Sequence, residues 1–275
     1  MKNPMNPKAF KGFFQILSIC GFVFIAGILF AACSSSEKEG SRAVEILFNE
    51  AEESFKDERY IVAEQKYREI TNRFPYSEFA TRAALRLGDT YFNQENFAEA
   101  AAQYRAFRDL HPEHPKSDYV VFRIGASHHK RLPDNVARDH SVAQDALNAY
   151  SLLLEAYENS PYASKAKKRI SEIRKKLARK EKYVADWYFG QGRYISALTR
   201  YENLWNQYRD VAFEKEALVG MVRSLDAIRA DKKWKKKPLP TFRQQPSEVA
   251  KLYLERFPQG NYQKEAQRVA SATWD

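Results

Sequence analysis

Four positions recur along this chain at fixed intervals, and that recurrence constrains its fold more than any other feature. Ala63, Tyr67 and Pro75 follow Ala51 by 12, 16 and 24 residues, and Gly88, Ala100, Tyr104 and Pro112 repeat the intervals 37 residues later. Ala185, Ala197, Tyr201 and Arg209 repeat them again, with arginine in place of proline. Phe55 and Tyr60, Phe92 and Phe97, and Phe189 and Tyr194 add an aromatic pair at matching places. A period of this length marks a two-helix unit stacked on copies of itself. A small residue in the first helix (A) lets the second (B) approach, and the alanine of helix B answers it. The aromatic four residues later shares that alanine's face. Proline ends helix B because it lacks an amide hydrogen and clashes with the preceding turn.

The intervals resemble the tetratricopeptide repeat of about 34 residues, lengthened here by three. Two weaker copies are visible. Gly125 opens one whose partner alanine, Ala146, arrives nine residues late, with Tyr150 and Tyr157 resuming the pattern. The delay is the polar, proline-broken stretch 132–139. Another copy begins near Ala217, holds Gly220 in its first helix, and closes with Ala250, Tyr253, Phe257 and Pro258. It is interrupted by a basic insert, Lys232-Lys233-Trp234-Lys235-Lys236-Lys237. The expected repeats are 41–76, 77–113, 114–161, 162–211 and 212–260, with a capping helix over 263–272. Between Pro161 and Gln191 there is no proline and a single glycine, Gly190, while Ile170, Ile173, Leu177 and Val184 keep a helical period. This predicts one long helix, or two broken near Lys180. The fold class is all-α, a tetratricopeptide-like superhelix of about five repeats, and 10 Gly and 11 Pro in 275 residues fit a chain with few tight turns.

The first 32 residues follow another logic. Lys2, Lys8 and Lys11 precede an apolar run from Phe13 to Ala32, and no acidic residue intervenes. A charged start, an apolar middle and a small-residue exit describe a secretory signal. Leu29-Phe30-Ala31-Ala32-Cys33 resembles a bacterial lipobox, departing from it at Phe30, and the resemblance implies a covalent lipid on Cys33. The alternative is an uncleaved membrane span, since about 18 apolar residues reach across a bilayer. Residues 33–40 read as a tether, and Ser34 after the cysteine favours the outer membrane by the sorting rule for such lipoproteins. Cys20 lies within the signal, so processing leaves Cys33 as the sole thiol and excludes disulfides and cysteine-based metal sites. Removing three lysines and no acids changes the net charge from +10 to +7 (10 − 3), suiting acidic partners or phospholipid head groups.

Phe74-Pro75-Tyr76-Ser77, His111-Pro112, His114-Pro115, Asp118-Tyr119-Val120 and Phe122-Arg123-Ile124-Gly125 belong to a wider pattern. Leu132-Pro133-Asp134, Arg138-Asp139, Asn159-Ser160-Pro161-Tyr162-Ala163 and Lys180-Glu181-x-Tyr183-Val184-Ala185-Asp186-x-Tyr188-Phe189 continue it. From about residue 41 to 210 these residues resemble the BamD family, the repeat lipoproteins of the outer-membrane β-barrel assembly machine. The lysine-rich insert departs from it. The resemblance implies a non-enzymatic subunit that holds the POTRA domains of the barrel-forming protein, works beside accessory lipoproteins, and receives unfolded outer-membrane proteins through an aromatic-ended C-terminal signal. It also implies that Arg200, in helix B of the fourth repeat, pairs with the last POTRA domain; the plainer reading is a solvated helix residue.

Repeat register puts Phe48, Glu52, Lys56, Arg82, Asp89 and Asn93 on helix A positions that a substrate peptide would meet, or on an ordinary wet surface. His128, His129 and His140, near Asp134 and Asp139, hint at a metal, but adjacent histidines on a helix diverge by about 100° and no zinc-type spacing follows. A hydrogen-bonded loop is the expectation there, with His111 and His114 capping a turn. No phosphate loop, nucleophile elbow or H-E-x-x-H is present, so neither an enzyme nor a cofactor is expected beyond the lipid on Cys33. Without an Arg/Lys-aromatic module, and with export, nucleic acid is not an expected partner. The rival reading is an envelope repeat lipoprotein that scaffolds cell-wall, pilus or secretion machinery.

Overall fold

The computed structural model describes residues 40–231 and 245–274, and every regular element among them is a helix. The signal, Cys33 and the lysine-rich insert lie outside the described residues, whereas Gly40, expected at the end of the tether, is already helical. Helices α1 (40–56) and α2 (Tyr60–Arg73) form the first pair, and α3 (Glu78–Asn93) and α4 (Phe97–Leu110) the second. α5 (Ser117–Lys130) and α6 (Val142–Ala156), then α7 (Ala163–Gly190) and α8 (Tyr194–Tyr208), follow. α9 (Glu214–Ala230), α10 (Pro246–Arg256) and α11 (Gln263–Ala270) complete the order, with a 3-10 turn, Arg209–Val211, after α8. The chain is tetratricopeptide-like in its helix pairs. It divides into two compact units, one ending at Gln103 and the other beginning at Tyr104, within α4.

The recurring positions are where the cores form. Ala51, Ala63, Ala100, Ala185 and Ala197 are fully buried. So are the tyrosines Tyr67, Tyr104, Tyr150, Tyr201 and Tyr253, which are the largest side chains in the interior. The small residue admits the ring: a Cβ on Gly125 would stand 2.8 Å from Tyr150, and one on Gly220 would collide with the ring of Tyr201. Three of the helices A, α1, α3 and α7, end in one device. Glu58, Glu95 and Gly192 adopt left-handed φ of 59°, 62° and 67°, each three residues after an aromatic. The next amide reaches back five residues, Arg59 to Ser54, Asn96 to Tyr91 and Arg193 to Tyr188, at 2.9–3.0 Å, which closes a Schellman motif. The aromatic pairs brace the same corners, with ring centroids 5.5, 5.1 and 5.3 Å apart.

In the second unit α7 runs unbroken for 28 residues. Its Ala166 and Ile173 belong to the core shared with α5 and α6, and its Ala178 and Ala185 to the core shared with α8 and α9. Residues 131–141 between α5 and α6 are held from both ends. Leu132 is buried, and Asp139 accepts hydrogen bonds from the amide and hydroxyl of Ser141. From α7, Lys176 reaches Asp134 at 2.7 Å and Lys180 the carbonyl of Arg138 at 3.1 Å.

Candidate partner-binding surfaces

Within the first unit a charged network crosses three helices. The Glu52 carboxylate of α1 receives two hydrogen bonds from Arg86 of α3, at 2.7 and 2.5 Å, and one from the Tyr67 hydroxyl of α2, at 2.6 Å. Burial raises the pKa of Glu52, but these donors outweigh it and hold the carboxyl below its ordinary value. Arg86 also lies 3.4 Å from Asp89 and 4.7 Å from the centre of the Phe55 ring. Beside the network the Arg82 guanidinium sits 4.3 Å over Phe48 and 5.2 Å from Phe79. A cation over an aromatic face is attracted by the ring's negative quadrupole while its edge stays free to donate.

Two of the six groove positions are corrected by this arrangement. Phe48 is 2% exposed and packs between Tyr67 and Phe79, at centroid distances of 6.0 and 5.4 Å, so it fills the core. Asp89 is 6% exposed and paired with Arg86, which closes it to a peptide. Glu52 is half-buried within the network, while Arg82, Lys56 and Asn93 are exposed. Of these exposed residues only Arg82 joins the cluster. Arg86, absent from the sequence selection, is its centre. It follows Tyr67 by 19 residues, the interval that also separates Tyr104 from Arg123, whose Nε donates to the Tyr104 hydroxyl at 2.9 Å. A cleft of about 560 Å³ also lies in this unit, lined by residues of the α1–α2 corner together with Gln94 and Asn96, and none of the six positions lines it.

In the second unit Arg200 of α8 lies 3.3 Å from Glu181 of α7, which also accepts a hydrogen bond from Asn203 at 3.4 Å. The arginine side chain is 42% exposed, so it faces solvent while already paired within its own chain. The histidines do not converge. His128 is buried with neither ring nitrogen hydrogen-bonded, and Asp145 stands 3.8 Å away. Desolvation depresses its pKa, Arg105 and Arg131 add to this, and Asp145 opposes it. His140 makes the loop contact instead, with Nδ1 2.8 Å from the carbonyl of Arg138. His114 accepts the Lys116 amide at 3.1 Å, capping its turn. Among the described residues no three His, Cys, Asp or Glu come together as metal ligands, and no helix is long and apolar enough to cross a membrane.

The family model for YfiO, an outer membrane lipoprotein, matches residues 41–240. The chain belongs to the YfiO family of outer membrane lipoproteins. Among its relatives, the outer membrane protein assembly factor BamD of Caulobacter vibrioides is 26% identical over 211 residues, covering 74% of this chain and 69% of that protein. The protein of the same name from Neisseria meningitidis serogroup A is 30% identical over 185 residues, covering 64% and 69%. That of Vibrio cholerae is 26% identical over 200 residues, covering 70% and 83%. The YfiO match runs through the first four helix pairs and α9 and ends before α10, and so includes both the Glu52–Arg86 network and the Arg200–Glu181 pair.

Proposed function

We propose that this chain is a non-enzymatic subunit of the outer-membrane protein assembly machinery. In this reading it is lipid-anchored through Cys33 on the periplasmic face of the outer membrane. It holds the POTRA-bearing barrel subunit and accessory lipoproteins, and it passes on unfolded outer-membrane proteins without a cofactor or nucleic acid. The observation that carries this is the naming of relatives at 26% and 30% identity as outer membrane protein assembly factors. That name does not favour the rival role in cell-wall, pilus or secretion assembly.

In this reading two parts of the role have candidate residues. Arg82 has no carboxylate at ion-pair distance among the described residues and stands over Phe48 and Phe79, so it can donate to the carboxylate of an aromatic-ended peptide. Arg200 is the candidate contact to a POTRA domain, with Glu181 holding its side chain in place until a partner carboxylate joins it. The test is affinity purification of the tagged full-length protein from its host's membranes in detergent, followed by mass spectrometry. A β-barrel protein bearing POTRA domains should be recovered. Recovery of cell-wall or secretion components in its place would overturn the reading.

A further inference from the structure

α7 carries one of the two concentrations of basic charge in this chain; the other, five lysines within 232–237, lies outside the described residues. Across all 275 residues Lys and Arg exceed Asp and Glu by ten, and α7 alone holds ten cations against three acids. Part of that charge is consumed internally, by carboxylates and carbonyls of α7 itself, of the 131–141 segment and of the 3-10 turn. Lys167, Lys168, Lys175 and Arg179 are exposed and have neither a carboxylate nor a hydrogen-bond partner among the described residues. Lys168, Lys175 and Arg179 share one side of α7, and that side ends in aromatics. Tyr183 and Trp187 follow Lys175 and Arg179 at intervals of four, on one flank of the helix, and are 47% and 50% exposed. Trp187 packs edge-on against Tyr188 at 5.1 Å and leaves its other side to solvent next to Tyr183.

We propose that this flank of α7 docks on an anionic phospholipid surface. Three features favour a lipid surface over an acidic protein. The cations and the aromatics together run along the helix for about 28 Å between Lys168 and Trp187, a line that matches a plane of repeated phosphates. Tyrosine and tryptophan beside lysine and arginine are the residues that settle at the boundary of head groups and acyl chains, with the ring in the apolar zone and the polar edge in the wet one. The YfiO family to which the chain belongs consists of outer membrane lipoproteins, so a membrane is within reach of every copy. A second, weak contact to a surface that already holds the protein is amplified by effective concentration. The flank then fixes the orientation of the second unit against the bilayer, independently of the Arg200 contact.

The test uses the full-length protein with Trp234→Phe, which removes the tryptophan of the lysine-rich insert, reconstituted into vesicles of phosphatidylcholine, with or without phosphatidylglycerol, carrying acyl chains brominated close to the head group as tryptophan quenchers. Quenching should appear only with phosphatidylglycerol, and the quenchable component should vanish in Trp187→Phe. It should also vanish in Lys175→Glu/Arg179→Glu, a pair that removes no hydrogen bond or ion pair among the described residues and should leave the helical circular dichroism unchanged. Equal quenching in phosphatidylcholine alone, or the same quenching in Trp187→Phe, would overturn the proposal. So would protection of Trp187 from an aqueous quencher by soluble polyglutamate but not by anionic vesicles, which would assign the flank to an acidic protein.

Discussion

The same buried tyrosine occurs in each repeat, yet its hydroxyl meets different chemistry from one to the next. The Tyr67 hydroxyl donates to Glu52 at 2.6 Å, and that of Tyr201 to Asp186 at 2.5 Å. Tyr150 is as deeply buried, but the residue after Gly125 is Ala126 and no carboxylate answers; its hydroxyl has no partner. A hydrogen bond to a charged acceptor contributes about 1.5–3 kcal/mol, whereas an orphaned polar atom in the interior costs stability. Tyr67→Phe should therefore lower unfolding stability by about 1.5–3 kcal/mol. Tyr150→Phe should be neutral or stabilising by up to about 1 kcal/mol. Urea denaturation of the two variants measures both. The Glu52 network also carries a pH signature. Because the folded pKa of Glu52 lies below its ordinary value of 4.5, its contribution is fully present above the unfolded pKa and is lost as pH falls through the folded one. Stability of the wild type should drop more steeply than that of Glu52→Gln once the pH passes below about 4.5, as thermal melts across that window will register.

Among the elements, the helix corners carry the most exact requirement. Two of the three residues at the corners after α1, α3 and α7 are glutamates, and a side chain in the left-handed region costs about 1 kcal/mol that glycine avoids. Glu95→Gly should raise stability by up to about 1 kcal/mol and Gly192→Ala lower it by about the same, read from their chemical denaturation midpoints. A larger loss, about 1–3 kcal/mol, is expected for Gly220→Ala, because a methyl there must displace the ring of Tyr201. These corners mark where the sequence ceases to be readable. The positions of the helices follow from residue spacing, since Ala, Tyr and Pro act through local geometry. The unbroken α7 follows in the same way from the lack of proline within Ala163–Gly190. The left-handed corners do not, because Glu58 and Glu95 lack the glycine that announces Gly192. Groove residues were harder still. Repeat register tells which residues of helix A point across the array, but it says nothing of what the next helix lays over them. Phe48 is covered by Phe79 and Arg82 of α3, contacts more than 30 residues away in sequence. Arg86 is marked in the sequence by its interval of 19 from Tyr67, which recurs from Tyr104 to Arg123.

At the scale of the molecule, a repeat array is stabilised by nearest neighbours, so a surface substitution in one pair should leave the others folded, and binding can be separated from stability. Arg200 tests this. Its pair with Glu181 is partly exposed, and such pairs contribute about 0–1 kcal/mol. Arg200→Glu sets two carboxylates face to face, which should shift Tm by no more than about 2–4 °C in a protein of this size. If Arg200 meets a POTRA domain, the same variant should lose the barrel subunit on detergent co-purification while its melting transition stays cooperative. Arg200→Lys should keep only part of the yield, because a lysine cannot replace a forked guanidinium shared between two carboxylates. Glu181→Gln separates the two explanations of any loss. It removes the internal carboxylate and leaves the arginine free, so an interface built on Arg200 keeps or gains its partner in that variant. If the internal pair itself were what mattered, Glu181→Gln and Arg200→Glu would weaken recovery alike, and the arginine would revert to a helix residue that solvent and Glu181 fully account for.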